Sequence, residues 1–392
     1  MDRRTLLLTL AGWPAITGAD AQGQAPVQVH AGAPAPSTTP AALRFPADFG
    51  AHPETRTEWW YVTGSLQAEA RLWGFQVTFF RAATGVSAPL AAASASSSSS
   101  LPASRFAPSQ LLFAHAALTD LEQGRLRHDQ RIARGGFGIA QAQLGDTHVS
   151  LRDWRLNRTP SPTHTPLSAD AQRSRYTAQV TSDSAGFAFD LSFDATQPVL
   201  LQGVGGVSKK GPAAGDASRY YSEPQLAALG TLTLDGKRIA VQGRAWLDHE
   251  WSDAFVPATA VGWDWVGMNL DDGSALTAFR LRRADGSSVH AGGSFRASGQ
   301  AARNFKPDEV RFTPGRVWES AGSRARYPVQ WTIETPAGVF TVNALLDNQE
   351  LDSRGSSGAI YWEGLSELLD ASGRRVGRGY LEMTGYAAAL RL

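Results

Sequence analysis

The sequence predicts an all-β chain built as two antiparallel barrels in tandem, and three observations carry that expectation. Apolar residues recur with period two along most of the chain, in runs such as WGFQVTFFR, LLFAHAALTD, FAFDLSFD, SALTAFRLRR, VQWTIETP and FTVNALLD. Turn chemistry separates the runs, at Asp235-Gly236, Asp272-Gly273, Asp285-Gly286 and Ala337-Gly338. Two tryptophan pairs, in TEWWYVTGSL and VGWDWVGMNL, each open an alternating strand that ends in a turn. A bulky plug entered twice suggests two barrels.

Taken in order, residues 1–21 read as a signal peptide. Arg3-Arg4 precede a short apolar run, and Ala19-Asp20-Ala21 forms a small-residue cleavage site. Export follows, to the periplasm or the medium, through a Tat or a Sec signal. Residues 22–44 are an Ala/Pro-rich disordered spacer. The first barrel is expected over 45–252 and the second over 256–392. The serine-rich AAASASSSSSLPAS is a flexible loop inside a hairpin. Pro224 to Leu229 is the one stretch expected to form a short helical turn.

Composition narrows the function. With 392 residues, 42% hydrophobic and 19% charged, the chain can build large cores, and a net charge of +1 makes it no trap for nucleic acid. Basic residues form no stripe with stacking aromatics, so nucleic acid is not an expected partner. Zero cysteines exclude thiol nucleophiles, zinc–thiolate sites and disulfides. The eight histidines include no H-x-H or H-x-x-x-H pattern, and no metal is expected. A G-x-S-x-G elbow and a phosphate-binding glycine loop are both missing from the chain.

Seven of the twelve tryptophans sit beside acids, in Glu58-Trp59-Trp60-Tyr61, AWLDHEWSD, Trp263-Asp264-Trp265 and Tyr361-Trp362-Glu363. An indole offers apolar area and one N–H, and a neighbouring carboxyl can accept that bond or titrate in a dry setting. In an extended AWLDHEWSD, His249 and Trp251 share one face while Asp248 and Glu250 share the other. His249 is then either a titratable group facing a ligand or a wall histidine satisfied by its neighbours. Asp248 and Glu250 face solvent or bond across the junction between the barrels. Tyr380, Glu382 and Thr384, with Tyr361 and Glu363, make a second polar-aromatic patch or close a barrel through ordinary cross-strand pairs.

Together, HPETRTEWWYVTGSL, WGFQVTFFR, AWLDHEWSD, GWDWVGMNLDDGSAL, YWEG and GRGYLEMTGY resemble the AttH-like and carotenoid 1,2-hydratase family over His52 to Tyr386. The resemblance implies two lipocalin-like (calycin) barrels and, for some members, cofactor-free addition of water to an acyclic carotenoid. Fungal relatives steer pericyclic cyclisations, and many bacterial ones are labelled predicted secreted hydrolases. The family's His-x-Trp pair falls on His249 and Trp251. Its Tyr-x-Asp pair has no counterpart in SALTAFRLRR.

The candidate catalytic residues are His249 as proton shuttle, Trp251, with Trp263, as cation stabiliser, Glu58 or Asp264 as source of acidity, and Asp248 beside them. The candidate ligand-binding residues are Trp59, Trp60, Tyr61, His115, Trp263, Trp265, Tyr361, Trp362, Glu363, Tyr380 and Glu382. The expected partner is an apolar, isoprenoid or lipid-like small molecule, with no cofactor, and either a hydratase or hydrolase acts on it or a carrier delivers it to a membrane transporter.

Overall fold

The computed structural model describes residues 42–85, 108–161, 173–213, 215–253 and 256–390. The expected signal peptide, the spacer up to residue 41 and the serine-rich insertion lie outside the described residues.

Period-two patterning becomes two antiparallel sheets. The first contains β1 (Thr57–Ala68), β2 (Arg71–Ala83), β3 (Gln110–Asp120), β4 (Arg125–Arg134), β5 (Ala140–Ala142), β6 (His148–Leu151), β7 (Trp154–Pro160), β8 (Ser174–Ser182) and β9 (Phe187–Asp194). It continues with β10 (Leu200–Leu201), β11 (Val207–Lys209), β12 (Ala217–Leu234) and β13 (Lys237–Ser252). The second contains β14 (Gly262–Leu270), β15 (Ala275–Arg282), β16 (Ser288–Arg296), β17 (Arg303–Phe305) and β18 (Arg311–Pro314). After the separate ribbon of β19 (Val317–Glu319) and β20 (Arg326–Pro328) come β21 (Gln330–Thr335), β22 (Gly338–Ala344), β23 (Glu350–Ser353), β24 (Ala359–Leu369) and β25 (Arg375–Met383).

The first sheet runs β4-β3-β2-β1-β13-β12-β9-β8-β7-β6-β5, with β10 and β11 on β12, and β6 packs back against β3 and β4 so that the sheet nearly closes. The second runs β17-β16-β15-β14-β25-β24-β22-β21-β18, with β23 on β24. The chain is two lipocalin-like barrels in tandem.

Strand alternation decides what each barrel contains. On β1, Trp60, Val62 and Leu66 point into the first barrel, with Trp73, Phe75, Val77 and Phe79 of β2 and Leu247 and Trp251 of β13. Burying a side chain such as Phe75, with no exposed surface, contributes roughly 1.5–3 kcal/mol. The second barrel is filled by Trp331, Trp362, Tyr327, Met268 and Leu381. Both interiors are therefore packed cores.

A third cluster, Tyr61, Trp246, Trp265, Phe279, Leu365 and Tyr380, comes from the outward faces of both barrels and forms the seam between them. Gly267 makes room there: a Cβ would lie 2.3 Å from the Trp265 ring and 3.2 Å from the Trp246 ring.

Pro224 to Leu229 is not a helical turn. It belongs to β12, whose pairing with β13 slips between Glu223 and Leu226, and Gln225 adopts a left-handed φ of 57°. Proline lacks the ladder N–H, so the strand bulges instead of coiling. The bulge turns Gln225 across the seam, where Nε2 donates to the carbonyls of Leu270 (2.9 Å) and Ser274 (2.7 Å). Its backbone N–H reaches Asn269 Oδ1 at 2.8 Å.

Candidate functional site

One end of the seam opens into a mostly apolar chamber of about 310 Å³. The first barrel supplies outward-facing residues: Trp59 and Tyr61 of β1, Gln76, Thr78 and Phe80 of β2, His115 of β3, and Asp248 and Glu250 of β13. Tyr220 and Lys210 come from β12 and the loop before it. The second barrel contributes Trp263 and Trp265, Phe279, Tyr361 and Glu363, and Glu382. Many aromatic faces with a few convergent polar groups are the makeup of a small-molecule site.

The chamber acids are held in different ways. Asp248 accepts from the Tyr220 hydroxyl at 2.7 Å, the Ser222 hydroxyl at 2.5 Å and the Trp246 indole at 2.7 Å. All three donors are neutral. Burial therefore wins over them, and Glu250 adds to it, so the Asp248 carboxyl is pushed up to about 7. Glu250 instead pairs with Lys210 Nζ at 2.8 Å, and that ammonium also lies 4.4 Å from the Phe279 ring centre.

Glu363 and Glu382 stand directly opposite each other on β24 and β25. Burial, and then the neighbouring Glu382 charge, push the Glu363 carboxyl well above the usual range. Burial raises Glu382 too, against a hydrogen bond from Trp263 and with the charges of Asp248 and Glu250. Two such carboxyls facing each other do not both ionise near neutral pH. Glu363 Oε1 and the Tyr61 hydroxyl are each buried without a hydrogen-bond partner. Burial, then the charges of Glu363 and Glu382 and the contact with the Glu363 carboxyl, raise the Tyr61 hydroxyl well above its ordinary value, so the two groups face each other at a geometry short of a well-formed bond.

His115 is satisfied on both nitrogens, by the Tyr361 hydroxyl and Ser356 Oγ, each at 2.8 Å. Burial, with the His128 charge, lowers it to about 3, so its ring is neutral.

The opposite face of β13 enters the first barrel, and His249 and Trp251 go with it. His249 stacks on Trp60, with ring centres 4.6 Å apart, and His52 stacks on Trp251 at 3.7 Å. Both imidazoles reach Glu58 Oε1, His249 Nε2 at 2.9 Å and His52 Nδ1 at 2.8 Å. Arg81 Nε donates to Glu58 Oε2 at 2.7 Å. Tyr221 lies 3.1 Å from His249 Nδ1 and completes the ring. Burial alone would raise Glu58, but the His249 and His52 bonds and the Arg81 charge hold it down to about 2. The ligand atoms of His52, Glu58 and His249 lie within 4.8 Å of one another. That spacing suits a metal triad, yet the guanidinium already occupies the carboxylate and hydrogen bonds account for both rings.

Of the residues singled out from the sequence, Trp59, Tyr61, His115, Asp248, Trp263, Trp265, Tyr361, Glu363 and Glu382 line the chamber, and Glu58 reaches its edge. Five do not face it because alternation turns them inward. Trp60, His249 and Trp251 sit inside the first barrel, and Trp362 sits inside the second. Asp264 is buried there as well, accepting from Arg280 Nε at 2.7 Å and the Tyr386 hydroxyl at 2.8 Å. Tyr380 belongs to the packed middle of the seam. Sequence reasoning missed Gln76, Lys210 and Tyr220. Tyr220 had a readable sign, because Tyr220 and Ser222 share a strand face.

The fold and the chamber can be set beside known proteins. A family model described as AttH-like matches residues 36–386. A crystal structure of a candidate AttH from Nitrosomonas europaea is 43% identical, covers 90% of this chain and 98% of its own, and superposes with a TM-score of 0.76. The structure of kievitone hydratase from Nectria haematococca shares the fold at 16% identity and TM-score 0.62, covering 90% of this chain and 95% of its own. In sequence, a kievitone hydratase from Fusarium solani subsp. phaseoli is 26% identical over 168 residues, 42% of this chain and 47% of that relative, so the match spans about half the relative's length. Matched by the family model along nearly all of its described length, the chain belongs to the AttH-like family.

Proposed function

We propose that the chamber between the barrels binds an apolar, isoprenoid or lipid-like molecule and adds water to it without a cofactor. The observation that carries this reading is Glu363: a buried carboxyl on the wall of a mostly apolar chamber, directly opposite Glu382, raised by burial and by that neighbour, with no well-formed hydrogen bond to Oε1. A neutral carboxylic acid in such a setting is a proton donor.

Glu363 gives its proton to one carbon of a double bond; a C–H bond forms as the π bond breaks. The cation left on the other carbon lies among the ring faces of Trp59, Trp263 and Trp265. Water attacks that carbon, a C–O bond forms, and the proton released from the water returns to the carboxylate pair. The sum is alkene plus water giving an alcohol. The kievitone hydratase relationship supports this class of reaction.

A carrier reading also has an observation behind it. Asp248 and His115 have their hydrogen bonds filled, as a chamber that only holds a lipophile requires. Export through the N-terminal signal, and delivery to a membrane transporter, belong to the same proposal.

The test is incubation of the purified chain with acyclic isoprenoid alkenes in ¹⁸O-water, followed by mass spectrometry. Wild type incorporates one ¹⁸O per product molecule, and Glu363→Gln loses about 10²–10⁴-fold in rate while retaining ligand in native mass spectrometry. Retained ligand with no ¹⁸O product in wild type assigns the carrier role instead.

A further inference from the structure

The seam opens a second time, beyond the plug formed by Trp246 and its neighbours. A cleft of about 440 Å³ is lined by Thr63, Ser65 and Gln67 of β1, Gln242 of β13, and three arginines, Arg244, Arg375 and Arg378. Asp271 is the one acid in its lining.

The arginines are not equivalent. Arg244 donates to the Leu270 carbonyl at 3.2 Å, and Arg375 lies 3.6 Å from Asp271. Arg378 sits half-buried on β25, opposite Asn269 of β14 and Glu367 of β24. Glu367 is engaged by Asn343 at 3.2 Å. Among the described residues the Arg378 side chain makes no hydrogen bond or ion pair, and its Nε is buried without a partner. A half-buried guanidinium whose donors meet no protein acceptor leaves them open to an acceptor in the cleft. Burial and the nearby Arg375 charge bring the Arg378 pKa down from its ordinary value, and Asp271 and Glu367 offset this only in part. The cleft has a surplus of positive charge and a vacant planar fork.

We propose that this cleft is an oxyanion-binding site, for a carboxylate or phosphate group held by Arg378 with Arg375 and Arg244 at its rim. A guanidinium presents parallel N–H donors matched to two oxygens of such a group, and the flanking hydroxyls and amides supply further donors. The site stands apart from the hydration chamber and does not depend on it.

Isothermal titration calorimetry of the whole chain with inorganic phosphate and with acetate, at ionic strength fixed by chloride, tests the assignment. Wild type binds one oxyanion. Arg378→Gln weakens binding about tenfold or more at unchanged melting temperature. Asp271→Asn strengthens it, a gain that misfolding cannot produce. Sedimentation with phosphatidylglycerol against phosphatidylcholine vesicles identifies the source. Arg378-dependent cosedimentation with the anionic vesicles makes the ligand a lipid headgroup, and phosphate binding without it makes the ligand a free anion. Wild-type titrations that match those of Arg378→Gln in both anions, or an Asp271→Asn chain that binds no better, overturn the proposal.

Discussion

The two faces of β13 border buried carboxyls of opposite character. Inside the first barrel, Glu58 is enclosed by Arg81, His52 and His249 and is held ionised at about 2. Across the same strand, Asp248 is as deeply enclosed but receives only neutral donors, and it is pushed up to about 7. Burial is common to both, so it does not decide the charge. The partners decide: the bonds from His249 and His52, with the Arg81 charge behind them, make Glu58 a buried anchor, and hydroxyl and indole donors leave Asp248 raised. The anchor lies in the packed core, and the acids lie on the chamber.

The largest expected effect breaks the anchor. Glu58→Gln leaves the Arg81 guanidinium, 2% exposed, without its counter-charge. Loss of one partner of a buried pair costs about 3–5 kcal/mol, read as a fall in the urea midpoint at pH 7. The sign of the pH dependence follows. A carboxyl lowered on folding adds stability that is full above its ordinary value of 4.5 and is lost as pH falls toward 2. Wild type therefore carries an acid limb that Glu58→Gln flattens.

Asp248 behaves in the opposite sense. A carboxyl raised on folding stabilises fully below its ordinary value of 3.8 and loses that contribution as pH rises through about 7. Asp248→Asn removes this slope, so the difference in melting temperature between variant and wild type moves in the variant's favour from pH 5 to pH 8. An unchanged difference would mean that Asp248 is already ionised at pH 5 and would remove the contrast. The smallest effect is a silence. The His115 ring, lowered to about 3, shows no titration shift by nuclear magnetic resonance between pH 5 and 8. A midpoint near the usual 6.5 would show that water reaches it.

Alternation along AWLDHEWSD was enough to separate His249 and Trp251 from Asp248 and Glu250, and the turn signals were enough to expect a meander of strands. Which face meets a ligand was not legible there. Both faces of β13 carry aromatics and titratable groups, and only the docking of β14, β24 and β25 converts the outer one into a wall. The family's His-x-Trp pattern drew the reading inward, where Trp60, Tyr221 and Glu58 leave His249 no open space. His52 was invisible because it precedes β1 in a loop, where no periodicity assigns a side. Pro224-Gln225 looked like a helix start because proline punctuates helices and bulges alike, and the cross-strand partner that distinguishes them lies in β13.

The solid interiors of the two barrels have a consequence for how this scaffold can change over generations. On the proposed function, ligand specificity and folding fall to different surfaces: Trp60, Phe75 and Trp362 pack the barrel interiors, while the seam side chains form a separate cluster. A substitution at Phe80, Trp263 or Phe279 can reshape the chamber and leave both hydrophobic cores at full volume. On that function, new ligands are reached by changing this one interface while both barrel interiors keep their packing.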